Sequence, residues 1–292
     1  MNRRNKAHMR FVALPILVAA ALEWTEPAPA DPSMVTATYG AACPREMVRV
    51  RGFCIDRWEL SAVDIATGQG LSPYYPPLKP LLNRILDVWQ VEKTSWGSSA
   101  AQAIEFPELS PVQQDGRFEV RAVAVPNVIP QAYLSRELAR RACERAQKRL
   151  CTLAEWQTAC RGERGTQFPY GSEYVAGRCN VWRPVHPAYA LHGNSSLGHL
   201  DPRLNLVVDA ATGPLLRATG TTPTCVSRFG DDAVYDMVGN LDEWVDDEPG
   251  LFVGGFYARA TNKGCDAQVS NHAPSYYDYS TGARCCLTPG KT

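Results

Sequence analysis

The chain has 292 residues, 30 Lys and Arg against 30 Asp and Glu, and 45% hydrophobic residues. That length supports a sizeable core in one large domain or two small ones. The balanced charge, with no basic stretch interleaved with aromatics, argues against a nucleic-acid partner.

Arg3, Arg4, Lys6 and Arg10 precede an apolar run from Phe11 to Leu22, and Ala28-Pro29-Ala30 follows. This basic, apolar, small-residue order predicts a signal peptide over 1–30 and export to a periplasmic or extracellular space. The run is too short to span a bilayer, so no membrane anchor is expected. All ten cysteines lie beyond it, from Cys43 to Cys286. An even count in an exported chain predicts a disulfide framework, and the absence of any Cys-x-x-Cys argues against zinc.

After a short lead at 31–42, Met47 to Glu59 alternates apolar and polar around Gly52, predicting a β-hairpin flanked by Cys43 and Cys54, which could pair across it. Residues 61–130 are rich in Pro, Gly, Ser and Gln and read as loop and edge strand, with Phe118 to Val123 as one strand piece. A helix is expected from an N-cap at Ser135, with Leu138, Ala139, Ala142, Cys143 and Ala146 on one face. A second opens at Thr152, where Glu155 three residues on makes a capping box, and buries Trp156, Ala159 and Cys160. From Gly162 onward, turns pinned by aromatics replace periodic elements, and 183–224 reads as an inserted loop.

Six motifs then occur in order: Phe53-Cys54-Ile55-Asp56-Arg57-Trp58-Glu59; Lys148-Arg149-Leu150 with Glu155-Trp156; Cys179-Asn180-Val181-Trp182; Met237-Val238-Gly239-Asn240 with Glu243-Trp244; Gly254-Gly255; and Gly282-Ala283-Arg284-Cys285. As a set they resemble the sulfatase-modifying-factor family, whose best-known member is the formylglycine-generating enzyme. The resemblance covers about 43 to 287 of a domain set at 43–292, with departures at about 61–125 and 183–224. It implies an α+β, C-type-lectin-like fold with low regular secondary structure, stapled by disulfides. It also implies the pairs Cys143–Cys285 and Cys160–Cys265. For the other cysteines, Cys43–Cys54, Cys179–Cys225 and Cys151–Cys286 are the arrangement considered, although sequence alone does not decide connectivity.

In that enzyme the catalytic cysteine pair lies between the Gly-Gly turn and the residue matching Cys265. Here the interval Phe256 to Gly264 contains no cysteine. Copper(I) needs soft sulfur ligands, so formylglycine formation by the copper-dithiolate route is not expected. An alternative register would make Cys265 catalytic with Cys285 or Cys286. The resemblance therefore implies an oxidoreductase at family level, with no catalytic residue assigned, no redox metal specified, and activity left open. Periplasmic family branches that oxidise a pyoverdine precursor also lack the pair.

The family's calcium positions map to Asn180 with the Val181 backbone, and to Asn240 with Glu243, so structural calcium is implied. The plainer reading makes Asn240 a left-handed turn residue and Glu243 a solvated acid. His186, His192, His199 and Asp201 have the residue types of a non-haem iron site, although loop histidines at such irregular spacing are usually solvated. Arg259, His272, Tyr276 and Tyr277, with Tyr279 close by, are the candidates for a substrate groove for a peptide or small-molecule ligand; the plainer reading packs at least two of these aromatics under the C-terminal loop. The chain thus reads as an exported family protein oxidising a peptide or peptide-derived metabolite; the alternative is a non-catalytic C-type-lectin-like binding module.

Overall fold

The computed structural model describes residues 42–92 and 97–290. The expected signal peptide and nearly all of the 31–42 lead lie outside the described residues. The hairpin forms as β1 (Met47–Val50) and β2 (Phe53–Asp56), with Val50 opposite Phe53. Its two-residue turn places Arg51 at φ 51°, next to a glycine that leaves room. Cys43 is bonded to Cys54 across it.

β3 (Ser61–Asp64) pairs antiparallel with β4 (Val120–Val123), and three helices fill the excursion between them: α1 (Lys79–Glu92), α2 (Ser99–Gln102) and α3 (Pro111–Asp115). The expectation of loop without long helices is corrected here by α1. Leu82, Ile85 and Trp89 recur at helical spacing and are buried together with Tyr75, Leu191 and Leu204. Prolines at 76, 77 and 80 disguise this stripe, yet Pro80 falls in the first turn, where its missing N–H costs nothing.

α4 (Arg136–Arg145) starts where Ser135 Oγ accepts from Leu138 N at 3.2 Å, and it buries Leu138, Ala139, Ala142 and Cys143. After β5 (Arg149–Leu150), α5 (Leu153–Arg161) carries the reciprocal cap, with Glu155 N donating to Thr152 Oγ1 and Thr152 N donating to Glu155 Oε2. Trp156, Ala159 and Cys160 face the core. The 183–224 segment is held by α6 (Pro187–His192) and the small ribbon of β6 (Val208–Asp209) with β7 (Gly213–Pro214).

β8 (Val226–Phe229) and β9 (Asp232–Tyr235) form a hairpin. The remaining strands, β10 (Asp242–Val245), β11 (Leu251–Val253), β12 (Gln268–Val269) and β13 (Thr281–Ala283), build a sheet in the order β12-β11-β10-β13. Its β10 and β13 run parallel, with Asp242 opposite Thr281. β14 (Cys285–Leu287) crosses to a second sheet, ordered β1-β2-β14-β5.

Successive side chains on a strand point to opposite faces, and β14 uses this with two adjacent cysteines. Cys285 is bonded to Cys143 of α4, and Cys286 to Cys151 just before α5. Cys160–Cys265 and Cys179–Cys225 complete five disulfides, and no cysteine is free. Among the described residues no helix is long and apolar enough to cross a membrane.

Candidate ligand cleft around Arg259

The Gly254-Gly255 turn leaves β11 with both residues at positive φ, 86° and 76°. A side chain at Gly254 would meet the Met237 carbonyl at 2.9 Å and the Trp156 ring at 3.1 Å, so only glycine lets the chain pass. The turn delivers Phe256, Tyr257 and Arg259 to a hollow between β10, β11 and the tail that leads into β13. Arg259 Nη2 donates to Asp242 Oδ2 at 2.6 Å. The Phe252 and Phe256 rings lie 5.8 and 5.3 Å from its guanidinium carbon, covering the ion by cation–π contact.

Two cavities meet at this arginine. One, of ≈ 180 Å³, is bordered by Asp242, Gly255, Thr261 and Lys263. The other, of ≈ 270 Å³, is bordered by His186, His199, His272, Tyr276, Asp278 and Tyr279. His272 stacks on Tyr276 at 3.9 Å and on Phe252 at 5.6 Å, forming a ring wall. Tyr276 Oη donates to Asp278 Oδ2 at 2.5 Å, and His186 Nε2 lies 3.3 Å from Tyr279 Oη.

Burial sets the electrostatics of the cleft. Loss of hydration pushes the Asp242 carboxyl up to about 7 despite the Arg259 guanidinium, and nearby Asp278 adds to the rise. His186 is held below the usual imidazole value by burial and then by His199; His272 is lowered mainly by burial. Tyr276 and Tyr279 are raised, first by burial and then by Asp278. Perturbed titratable groups gathered in one hollow mark a functional-site candidate.

Of the expected groove residues, Arg259, His272 and Tyr276 come together here. Tyr277 does not, because the next residue along the tail turns the other way and packs against the core cluster of Tyr75, Leu82 and Tyr133. The expected iron set is split. His186 and His199 reach the cleft, whereas His192 Nε2 lies 3.0 Å from Asp201 Oδ2 and Asp201 also binds Arg203, away from it. No group of three or more His, Cys, Asp or Glu residues is placed to hold a metal ion among the described residues.

The calcium assignment does not fit the side chains. Asn180 Nδ2 donates to Asn240 Oδ1 at 2.9 Å, and Asn240 Nδ2 donates to Glu59 Oε2 at 2.7 Å. Both Glu243 oxygens are taken by Arg284, and Oε2 also accepts from Trp156 Nε1 at 2.7 Å. Val181 belongs to the apolar core. These oxygens satisfy protein donors instead of converging on a cation, and Glu243 is buried, not a solvated acid. Asn240 does take the left-handed conformation, at φ 61°.

Asp242, Asp278, Phe252 and Phe256 were not singled out from sequence. Asp242 sits inside the Gly-Asn-Leu-Asp-Glu-Trp run, where strand alternation sends it opposite to Glu243, and that alternation was the available signal.

Residues 30–287 match the family described as Sulfatase-modifying factor enzyme 1-like domain. The chain belongs to this family. Its architecture, with short strands, few long helices and five disulfides, is the α+β, C-type-lectin-like fold of the family. Among solved structures it is loosely similar to CarF (17% identity, TM-score 0.39, covering 82% of this chain and 87% of that one). PvdO from Pseudomonas aeruginosa is 15% identical with a TM-score of 0.38, covering 81% of this chain and 80% of that one. The Major Tropism Determinant U1 variant is 17% identical with a TM-score of 0.38, covering 86% of this chain and 54% of that one. No curated protein matches the chain.

Proposed function

We propose that the protein is exported and that it oxidises a peptide or peptide-derived metabolite in the cleft around Arg259, with an external oxidant such as dioxygen taking the electrons and by a route that uses no copper dithiolate. The observation that carries this is the cleft itself: Arg259, His272 and Tyr276 meet His186, His199 and Asp278 against aromatic walls. All ten cysteines are meanwhile locked in disulfides, so no thiolate pair is left for copper(I). Five disulfides also support an oxidising compartment.

The test is aerobic incubation of the protein with peptide pools, followed by mass spectrometry, comparing the parent chain with Arg259→Gln. A product lighter by two hydrogens or heavier by one oxygen, lost in the variant, supports the reading. An aldehyde formed from a Cys-x-Pro-x-Arg peptide with copper would sink the exclusion of the dithiolate route. Retention of a peptide without any change in mass supports the second reading, a non-catalytic C-type-lectin-like binding module. The absence of any free thiol favours that reading.

A further inference from the structure

The polar groups of the cleft are unequally employed. Asp278 Oδ1 accepts from Ser280 N at 2.8 Å and from Ser280 Oγ at 2.7 Å, and its Oδ2 accepts from Tyr276. Asp278 is therefore occupied with holding the tail in shape. The Asp242–Arg259 pair differs, because among the described residues each partner keeps one shielded atom outside good hydrogen-bond geometry: the donor Arg259 Nε and the acceptor Asp242 Oδ1, with the Gly255 N–H the nearest backbone donor to the Asp242 carboxyl. Asp242 is only 1% exposed, and a buried polar atom left unmet costs free energy that a bound group would recover. Both residues border the smaller cavity, and Arg259 borders the larger one as well.

Resting on the proposed cleft, we propose that its ligand is the free C-terminal end of a peptide with an aromatic last residue. The terminal carboxylate lies on the edge of Arg259, the last N–H points to Asp242 Oδ1, and the ring lies among Phe252, Phe256, His272 and Tyr276. A guanidinium edge offers parallel N–H groups that match a planar carboxylate. The two phenylalanines cover the Arg259 faces, leaving the edge to do the recognising. The Arg259 side chain is 30% exposed and borders both cavities, so part of that edge is open to a ligand. Lys263 on the smaller cavity supplies a second positive charge, and His186 Nδ1 is a further nitrogen with no hydrogen-bond partner among the described residues. An internal peptide unit has the N–H but lacks the carboxylate. A C-terminal residue carries both on one α-carbon.

The experiment uses the full disulfide-bonded chain at about pH 8, above the Asp242 value of about 7 so that Oδ1 is an acceptor, and three probes: N-acetyl-L-phenylalanine, its carboxamide, and 3-phenylpropanoate, which keeps ring and carboxylate but has no N–H. Affinities come from calorimetry, and occupancy of the cleft comes from the imidazole proton signals of His199 and His272. The acid is expected to bind about tenfold tighter than the carboxamide and several-fold tighter than 3-phenylpropanoate. Arg259→Gln should bring acid and carboxamide together. Asp242→Asn should erase the advantage over 3-phenylpropanoate, because its carbonyl turns to Arg259 and leaves an NH₂ facing the ligand N–H. If Asp242→Asn does not fold, the Arg259→Gln comparison decides. Equal affinities for acid and carboxamide in the parent chain, with both shifting the histidines, overturn this proposal and leave the cleft standing. If no probe shifts either histidine, the cleft reading and the proposal fall together.

Discussion

Arg284 is buried against Glu243, with Nη2 2.6 Å from Oε1 and Nε 2.8 Å from Oε2. The remaining Arg284 N–H groups donate to the Asp56 and Tyr235 carbonyls, at 3.1 and 3.0 Å, so one side chain ties β2, β9 and β10 together. Replacing it leaves the buried Glu243 carboxyl without its guanidinium, beside Glu59 and Asp236. Arg284→Met is therefore expected to cost about 3 to 5 kcal/mol, read from guanidinium chloride unfolding. A loss below about 1 kcal/mol would show that the pair is dispensable.

Stability should depend on pH through the buried acids that folding raises, Asp242 and Asp236 together with Glu59 and Asp56. Burial pushes Asp242 up to about 7 and Asp236 up to about 6. In the folded chain each keeps a proton that the unfolded chain has released above about 4. Their contribution is thus fully present below that value and is lost as the pH rises through 6 and 7. His186 and His272, lowered on folding, act with the opposite sign just below the usual imidazole value. The gain in unfolding free energy on going from pH 8 to pH 5 is expected to shrink in Asp242→Asn. An unchanged gain would count against the assignment.

Gly239 has φ 85°, and a Cβ there would lie 2.2 Å from the Asn180 carbonyl oxygen. The neighbouring Asn240 N donates to that same oxygen at 2.8 Å, so the two turns cannot separate without losing a buried hydrogen bond. Gly239→Ala is expected to destabilise the fold by roughly 2 kcal/mol or more, from strain and overpacking together. A melting temperature equal to the parent's would show that the turns can part.

Calcium is expected to leave stability unchanged. Asn180 Oδ1 accepts from Arg183, Asn240 Oδ1 from Asn180, and both Glu243 oxygens from Arg284, so these side-chain oxygens already serve protein donors. A ligand that binds only the folded chain raises Tm, and thermal melts with EGTA and with millimolar calcium measure this. A calcium-dependent rise would reopen the assignment.

Local signals explain what could be read in the sequence. The caps at Ser135 and Thr152 are chemical facts of four-residue stretches, and α4 and α5 start there. The α1 stripe was present but lay behind prolines that usually end helices. Arg259, His272 and Tyr276 stood out because they fall near the Gly-Gly turn and in the tail. The importance of Asp242 and Asp278 was hidden because it arises from β10 running parallel to β13, which lays the tail beside Arg259. Nothing in the spacing of Asp242 and Asp278 announces that Asp278 will help to raise the Asp242 carboxyl.

The order of bonded cysteines also sets a timetable for biosynthesis. Cys143, Cys151 and Cys160 all pair with residues made more than a hundred positions later, Cys285, Cys286 and Cys265. Three early thiols must therefore stay unpaired, or pair wrongly and be reshuffled, until those later segments have been made. Nascent chains cut short before residue 265 would carry all three without their partners, a ready target for quality control.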